Sequence, residues 1–593
     1  MGEFWGRCFC VKRYICAAVI VILEFASIGM TAAAPDLAGI RLEEKIGQLF
    51  MVDIRYFQGN AVTTLPEAMS NQLYRLKPGG IILFKENLVN AEQTRKLTAD
   101  LQLLSSNGPM LIAVDQEGGA IQRVTWGTTL PGNMAIGAAD SMGLAFANGQ
   151  VIGKELQVLG MNVDFAPVLD VNVNPANPVI GVRSFGSDPE RVASLGIAWM
   201  QGLQSAGVAA AVKHFPGHGD TTVDSHRGLP IVRHDRQRLE AVELKPFREA
   251  AAQGADMVMT AHISFPALDG SLWPTAREDV STTTPATLSR PVLTGILREE
   301  WGYQGIVVTD ALEMKAIADR IGPVEAALQA LQAGADILLM PPEPEAVAAG
   351  IARAVLDGRI TENRIDESVE RILALKQKLA AQRPITTDVG AINSEEHRQV
   401  ATATARQAAT LLRNPLKQLP LRLASGQRIV VLAPTATALT DMLKAVSDLA
   451  VSNRCAGVVL QGFAPRETVS FDRTVQQAIA SSDYVIVGYR RGGETNKEDS
   501  AREALNAEVA AWAKRQQVPL ALLLLKNPYD LADWPDTIPG IAVYSAEYPS
   551  IDAGMRVIFG MLCPTGKLPV FLPGFGSAGE AYPLGYGLEY SKD

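Results

Sequence analysis

Side chains able to do chemistry concentrate between residues 208 and 230, VAAAVKHFPGHGDTTVDSHRGLP. An apolar run, Val208 to Val212, ends in Lys213 and His214. A loop punctuated by glycine and proline then carries His218, Asp220, Asp224 and His226. Four of the chain's six histidines (His214, His218, His226 and His234) fall within 21 residues. A buried strand that stops in cationic and titratable groups, followed by a polar loop, is how an α/β enzyme presents reactive groups to a substrate. Asp224 stands two residues before His226. At that spacing the carboxylate can orient the imidazole and stabilise its cation, so the ring is able to give up a proton and take one back. Histidine, with an unperturbed pKa of about 6.5, suits both directions. His218 and Asp220 are expected to shape the loop through local hydrogen bonds. The same cluster admits a second reading, in which His214, His218, Asp220 and His226 are ligands of a metallohydrolase.

Such a loop needs a rigid frame. Eight apolar runs of strand length alternate with helical patterns through the first half of the chain: Gln48–Ile54, Gly80–Phe84, Met110–Asp115, Asn162–Val168, Val208–His214, Ala255–His262, Ile306–Asp310 and Ala335–Met340. Their near-continuous Val, Ile, Leu, Met and Ala content fits strands buried on both faces of a parallel sheet. Amphipathic stretches lie between them, among them Ala91–Leu104, Met142–Leu159, Glu190–Ser205, Arg236–Gln253 and Glu325–Ala333. The alternation predicts a (β/α)8 TIM-type barrel over residues 35–383. Polar residues close most of the runs: Asp53, Asp115, Asp170, Lys213 with His214, His262 and Asp310. In a barrel these ends share one face, where the active site is built.

Glu362–Gln382 and Glu395–Leu412 read as helical, and residues 384–427 as a connection. A second α/β pattern over 428–593 offers strands at Ile429–Leu432, Val458–Leu460, Tyr484–Gly488, Leu520–Leu525 and Ile541–Tyr544. This predicts a smaller, doubly wound α/β sandwich domain. No phosphate-binding glycine fingerprint opens its first helix, which argues against a nucleotide site. Two polar loops, Tyr489–Thr495 and Lys526–Asp530, are expected to serve structure or domain contact.

The formal net charge of −9 and the absence of a basic stripe argue against a nucleic-acid surface. The first 34 residues run from basic (Arg7, Lys12, Arg13) through apolar (Tyr14–Leu23 and Phe25–Met30) to small (Thr31-Ala32-Ala33-Ala34). That is the order of an export signal, with an N-terminal membrane anchor as the alternative. Glu24 interrupts the apolar run, which is short for a membrane span. Cys8, Cys10 and Cys16 belong to this leader, so Cys455 and Cys563 remain downstream as a disulfide or as two separately buried thiols.

The run Lys213-His214-Phe215-Pro216-Gly217-His218-Gly219-Asp220-Thr221-Thr222-Val223-Asp224-Ser225-His226 closely resembles the signature of the β-N-acetylglucosaminidases of glycoside hydrolase family 3. Asp115-Gln116-Glu117-Gly118-Gly119, Gly181-Val182-Arg183-Ser184-Phe185-Gly186 and Thr309-Asp310-Ala311-Leu312-Glu313-Met314 agree with it. So do Gly566-Lys567-Leu568-Pro569-Val570 and Pro583-Leu584-Gly585-Tyr586-Gly587 near the C-terminus. The resemblance implies retaining hydrolysis of terminal, non-reducing β-linked N-acetylglucosamine, without cofactor or metal. Asp310 matches the nucleophile, His226 the acid/base and Asp224 its partner. Asp115, Arg123, Arg183, Lys213 and His214 match positions that bind the terminal sugar. Where the family often has Arg after the glycine pair, this chain has Ala120, while Arg123 is kept.

Most retaining glycosidases place two carboxyl groups about 5–5.5 Å apart. Here a histidine on a loop would replace one of them. That leaves the pocket less anionic and keeps a phosphorylase in view as an alternative. A β-glucosidase of the same family is another, and a sugar-binding protein without turnover a third. The expected substrates are peptidoglycan fragments, with chitin-type oligosaccharides as the alternative.

Overall fold

All eight apolar runs of the first half form strands, and they pair in parallel. A computed structural model describes residues 37–273, 282–382, 388–464, 471–491, 496–575 and 580–590. The leader therefore lies outside the described residues. The strands are β1 (Phe50–Asp53), β2 (Gly80–Ile82), β3 (Leu111–Val114), β4 (Val163–Asp164), β5 (Ala209–Phe215), β6 (Met257–Thr260), β7 (Ile306–Val308) and β8 (Leu338–Leu339). Their order is β7-β6-β5-β4-β3-β2-β1-β8. A parallel bridge between Val308 and Ile337 joins the outer two strands, so the sheet curls into a barrel. Most strand residues are apolar, because helices cover the outer face of the barrel and other strands the inner one. Every residue of β5 is buried, Lys213 and His214 included.

Several of the barrel helices start where local chemistry starts them. Asn90, Asp188 and Thr361 each cap a helix by accepting a backbone N–H, and Pro189 follows Asp188 at the first helical position. The short helix α1 (Asn133–Ala139) is buried throughout. The stretch Arg236–Gln253, expected as one helix, is two: α2 (Arg236–Ala241) and α3 (Lys245–Ala252). Pro246 has no amide to return to Val242, so the helix restarts there.

The second half holds a six-stranded sheet. Helix α4 (Glu395–Ala408) stops short of the expected Leu412, and Thr410–Arg413 form strand β9 instead. It is followed by β10 (Arg428–Leu432), β11 (Val459–Phe463), β12 (Tyr484–Tyr489), β13 (Leu520–Leu524) and β14 (Gly540–Ala542), in the order β9-β14-β13-β12-β10-β11. The five expected strands are parallel, and β9 runs antiparallel to β14. All four residues of β9 are buried. Leu411 and Leu412 suit a helix or a strand alone; the open edge of β14 decides.

Side chains alternate across this sheet. Val430, Leu432, Val485 and Val487 join one apolar cluster, and Ile429, Val431 and Ile486 the other. The first cluster also takes in Met134, Ala135 and Ala138 of α1 and Val182, the neighbour of Arg183. The Lys567 N–H donates to the Ala138 carbonyl at 3.0 Å, and the Ser187 N–H to the Pro569 carbonyl at 2.9 Å. The loop Lys526–Asp530 reaches the barrel as well: Asn172 Nδ2 donates to Tyr529 Oη at 3.1 Å. The second unit thus braces the turn that carries Arg183 from outside. Arg491 of the other polar loop pairs with Asp533 inside its own unit, and residues 492–495 lie outside the described residues. Cys455 and Cys563 are not joined in a disulfide, and neither is buried: Cys455 is half-buried and Cys563 exposed. Among the described residues no helix is long and apolar enough to cross a membrane.

Candidate active site

A cavity of about 390 Å³ opens at the C-terminal ends of the barrel strands. Asp115, Arg123, Arg183, Lys213, His214, His226 and Asp310 all line it. Asp224 stands behind His226. The eight residues singled out in the sequence therefore come together at one place, although they span almost two hundred positions.

Lys213 sets the electrostatics. Its side chain is 3% exposed, and burying its charge unpaired costs several kcal/mol. Asp115 Oδ1 and Glu117 Oε1 each lie 2.8 Å from its Nζ. Arg183 completes the group, with Nε to Glu117 Oε2 at 2.9 Å and Nη2 to Oε1 at 2.8 Å. Burial would push the Glu117 carboxyl up, but Arg183 and Lys213 hold it below the usual carboxylate range. Burial would lower Lys213, and Asp115 with Glu117 raises it above the ordinary lysine value. Arg123 pairs more loosely, 3.5 Å from Asp115 Oδ2, with its guanidinium 5.5 Å from the centre of the Phe84 ring.

Asp170 organises the start of the loop. Its Oδ2 is 2.7 Å from His214 Nδ1, and its Oδ1 accepts the backbone N–H groups of His214 at 3.2 Å and His218 at 2.6 Å. Gly219 then passes so close to the segment after β4 that a Cβ would stand 1.8 Å from the Val171 carbonyl oxygen. His218 is turned away from solvent, its Nδ1 2.7 Å from Thr221 Oγ1 and its Nε2 3.1 Å from Ser225 Oγ. Burial lowers its pKa to about 4. Further along, Asp224 Oδ1 is 2.7 Å from His226 Nδ1 and also accepts the His226 backbone N–H at 2.9 Å. The His226 side chain is 63% exposed and keeps Nε2 free of that pairing. Burial would raise Asp224, but the hydrogen bonds and charge of His226 lower it on balance.

Asp310 follows β7 and faces the loop across the mouth. Its Oδ1 accepts the Ala311 N–H at 2.8 Å. Burial would raise its pKa, but the neighbouring His262 and His214 and the Ala311 amide bring it below the usual aspartate value. His262 braces the same turn, with Nε2 3.0 Å from the Ala311 carbonyl oxygen.

Glu117 and Asp170 carry much of this arrangement, and neither was assigned a role from sequence. Glu117 stood in the Asp115–Gly119 motif, and Asp170 among the strand-end carboxylates. A usable signal was charge balance: Arg123, Arg183 and Lys213 at one mouth call for more than Asp115 alone.

The four side chains of the metallohydrolase reading each have a different partner. His214 meets Asp170, His218 meets Thr221 and Ser225, and His226 meets Asp224. Asp220 Oδ2 lies 2.5 Å from His234 Nε2. Asp220, His234 and Glu243 bring ligand-type atoms within 4.8 Å of one another. Arg238 Nη1 already sits 2.8 and 3.0 Å from the two Glu243 oxygens and supplies the positive charge at that place.

Residues 41–375 match the glycosyl hydrolase family 3 N terminal domain. The chain is 35% identical to beta-hexosaminidase A of Pseudoalteromonas piscicida, over 91% of this chain and 99% of that protein. It is 28% identical to a beta-N-acetylglucosaminidase/beta-glucosidase of Cellulomonas fimi, over 91% of this chain and 96% of that one. Among solved structures it is similar to a glycoside hydrolase family 3 beta-N-acetylglucosaminidase from Paenibacillus sp. str. FPU-7. The TM-score is 0.77 and the identity 37%, with 90% of this chain and 99% of the other covered.

Proposed function

The chain belongs to glycoside hydrolase family 3, and from that premise we propose how this glycosidase, of β-N-acetylhexosaminidase type, performs its reaction. The substrate is a terminal, non-reducing β-linked N-acetylglucosamine, and the reaction retains configuration. An Asp310 oxygen forms a bond to the anomeric carbon while the bond to the aglycone oxygen breaks. His226 Nε2 gives its proton to that leaving oxygen, and Asp224 stabilises the ring through Nδ1. In the second half, Nε2 takes a proton from water as water attacks the glycosyl-enzyme, releasing the sugar and restoring Asp310.

The observation that carries this reading is the pairing, across one cavity, of an ionised carboxylate at Asp310 with an Asp224–His226 dyad whose Nε2 is available. Asp115, Arg123, Arg183 and Lys213 hold the hydroxyl groups of the terminal sugar by charge-assisted hydrogen bonds, with His214 beside them. The natural substrates are peptidoglycan fragments or chitin-type oligosaccharides, met after export to the cell envelope or beyond.

The test is product analysis with a GlcNAc–MurNAc-type disaccharide, chitobiose and aryl β-glucosides, each with and without phosphate. Release of free N-acetylglucosamine irrespective of phosphate is expected. A preference for the glucoside would overturn the acetamido-sugar reading, and a sugar 1-phosphate as the main product would overturn hydrolysis.

A further inference from the structure

His214 lines the cavity, but its chemistry is decided one layer below. Three groups point at the buried Asp170 carboxylate: the His214 backbone N–H at 3.2 Å, the His218 backbone N–H at 2.6 Å and His214 Nδ1 at 2.7 Å. Backbone amides can only donate, so both are matched by an ionised, acceptor-only carboxylate. Asp170 is held below the usual aspartate range: burial opposes this, and His214 and His218 outweigh it. Its Oδ2 then calls for a proton on Nδ1. On the other side of the ring, Nε2 lies 3.4 Å from Arg183 Nη2. A guanidinium nitrogen has only donors to offer, so a proton on Nε2 would set donor against donor. Both faces of the ring select the same state. Asp170 also ties down the Arg183 turn, because Ser184 Oγ donates to the Asp170 carbonyl at 2.6 Å.

We propose that Asp170 is a positioning residue that locks His214 in the Nδ1–H tautomer, so that Nε2 stays unprotonated, accepts from Arg183 Nη2 and holds that guanidinium at the sugar-binding cavity. The second half of this statement rests on the sugar-binding reading of the cavity; the first does not. Oriented partners of this kind normally decide which nitrogen of a histidine acts. Asp170→Asn has a definite consequence. An amide offers one oxygen and one NH2. Keeping the oxygen on the two backbone N–H groups turns the NH2 toward Nδ1 and drives the proton to Nε2, where it meets Arg183.

The experiment uses the full-length enzyme labelled with 15N-histidine, with His214 assigned by its loss in His214→Gln. The wild type should show a protonated Nδ1 and an unprotonated Nε2 at His214. Asp170→Asn should exchange the two and lower kcat/KM on a β-N-acetylglucosaminide by about tenfold to a hundredfold. Asp170→Asn combined with His214→Ala should be no slower than His214→Ala alone. A wild-type ring protonated at Nε2 would overturn the proposal even if the Asn variant failed to fold. An unchanged tautomer in Asp170→Asn, or losses that multiply in the double variant, would overturn it too. If the wild-type tautomer is as stated but no glycoside is turned over, the sugar reading of the cavity fails and the tautomer lock stands.

Discussion

Glu117 and Arg183 meet in a two-point ion pair at the wall of the cavity, with N···O distances of 2.9 and 2.8 Å. Glu117 Oε1 also holds Lys213 Nζ at 2.8 Å. One carboxylate, 2% exposed in its side chain, thus fixes two cations that are proposed to bind sugar hydroxyls.

Replacing that carboxylate strands both cations. Glu117→Ala is expected to cost about 3–5 kcal/mol of stability, the usual effect of removing one partner from a buried ion pair. Glu117→Gln, which keeps the shape, should fold but lose about tenfold to a hundredfold in kcat/KM. Denaturant unfolding and steady-state kinetics measure the two effects. An alanine variant as stable and as active as the wild type would show that Lys213 and Arg183 are held by Asp115 and the backbone instead.

The barrel was legible because parallel strands covered on both faces are mostly apolar, and eight such runs, most of them closed by polar groups, leave few other folds. Two local features were hidden for different reasons. Pro246 breaks the Arg236–Gln253 pattern although the apolar spacing runs through it, because a backbone steric outweighs periodicity. Thr410–Arg413 becomes a strand because an edge is open beside it, and that edge lies about 130 residues away in the sequence. The site divides in the same way. The loop from Lys213 to His226 is local and could be read as a unit. Glu117 and Asp170 act on partners 66 and 44 residues away, and an isolated carboxylate in a sequence carries no sign of which cation or amide it will meet.

Asp310→Ala should abolish turnover on every substrate, a loss on the order of 10⁴-fold or more. The direction of its pKa adds a second expectation. Because the folded value lies below the usual aspartate range, Asp310 stays ionised at every pH above about 3.9. In His226→Ala, where the dyad no longer titrates, kcat/KM on an activated aryl sugar should therefore be flat from pH 8 down to about 5. An acid limb inside that window would place another titrating group, or an unshifted Asp310, at the centre of the reaction.

His226→Ala should affect substrates unequally. Poor leaving groups need the proton in the transition state and should lose about 10²–10⁴-fold in kcat/KM. Aryl sugars with good leaving groups should lose much less in glycosylation. Asp224→Ala should follow the same order with smaller losses, since it leaves the imidazole in place without its 2.7 Å partner. Equal losses across leaving groups, with glycosylation rate-limiting, would remove His226 from the acid role.

His218 predicts a pH dependence of stability rather than of catalysis. Its ring is buried against Thr221 and Ser225, and burial lowers its pKa to about 4. In the unfolded chain the same ring takes up a proton near pH 6.5 (roughly). Between those values the unfolded state binds more protons, so stability rises with pH across the window. Moving downward, it is lost progressively from about pH 6.5 and levels off near the folded value, where the native ring protonates as well. The whole span amounts to an effect on the order of 3 kcal/mol. His218→Asn removes this titration and leaves the other groups in place. Denaturant unfolding from pH 7 to pH 4 should therefore show the wild type losing stability faster than the variant, by up to about 1.4 kcal/mol per pH unit. A difference between the two proteins that stays constant over the window would mean that His218 takes its proton at the same pH folded and unfolded, and that its contacts with Thr221 and Ser225 do not depend on a neutral ring.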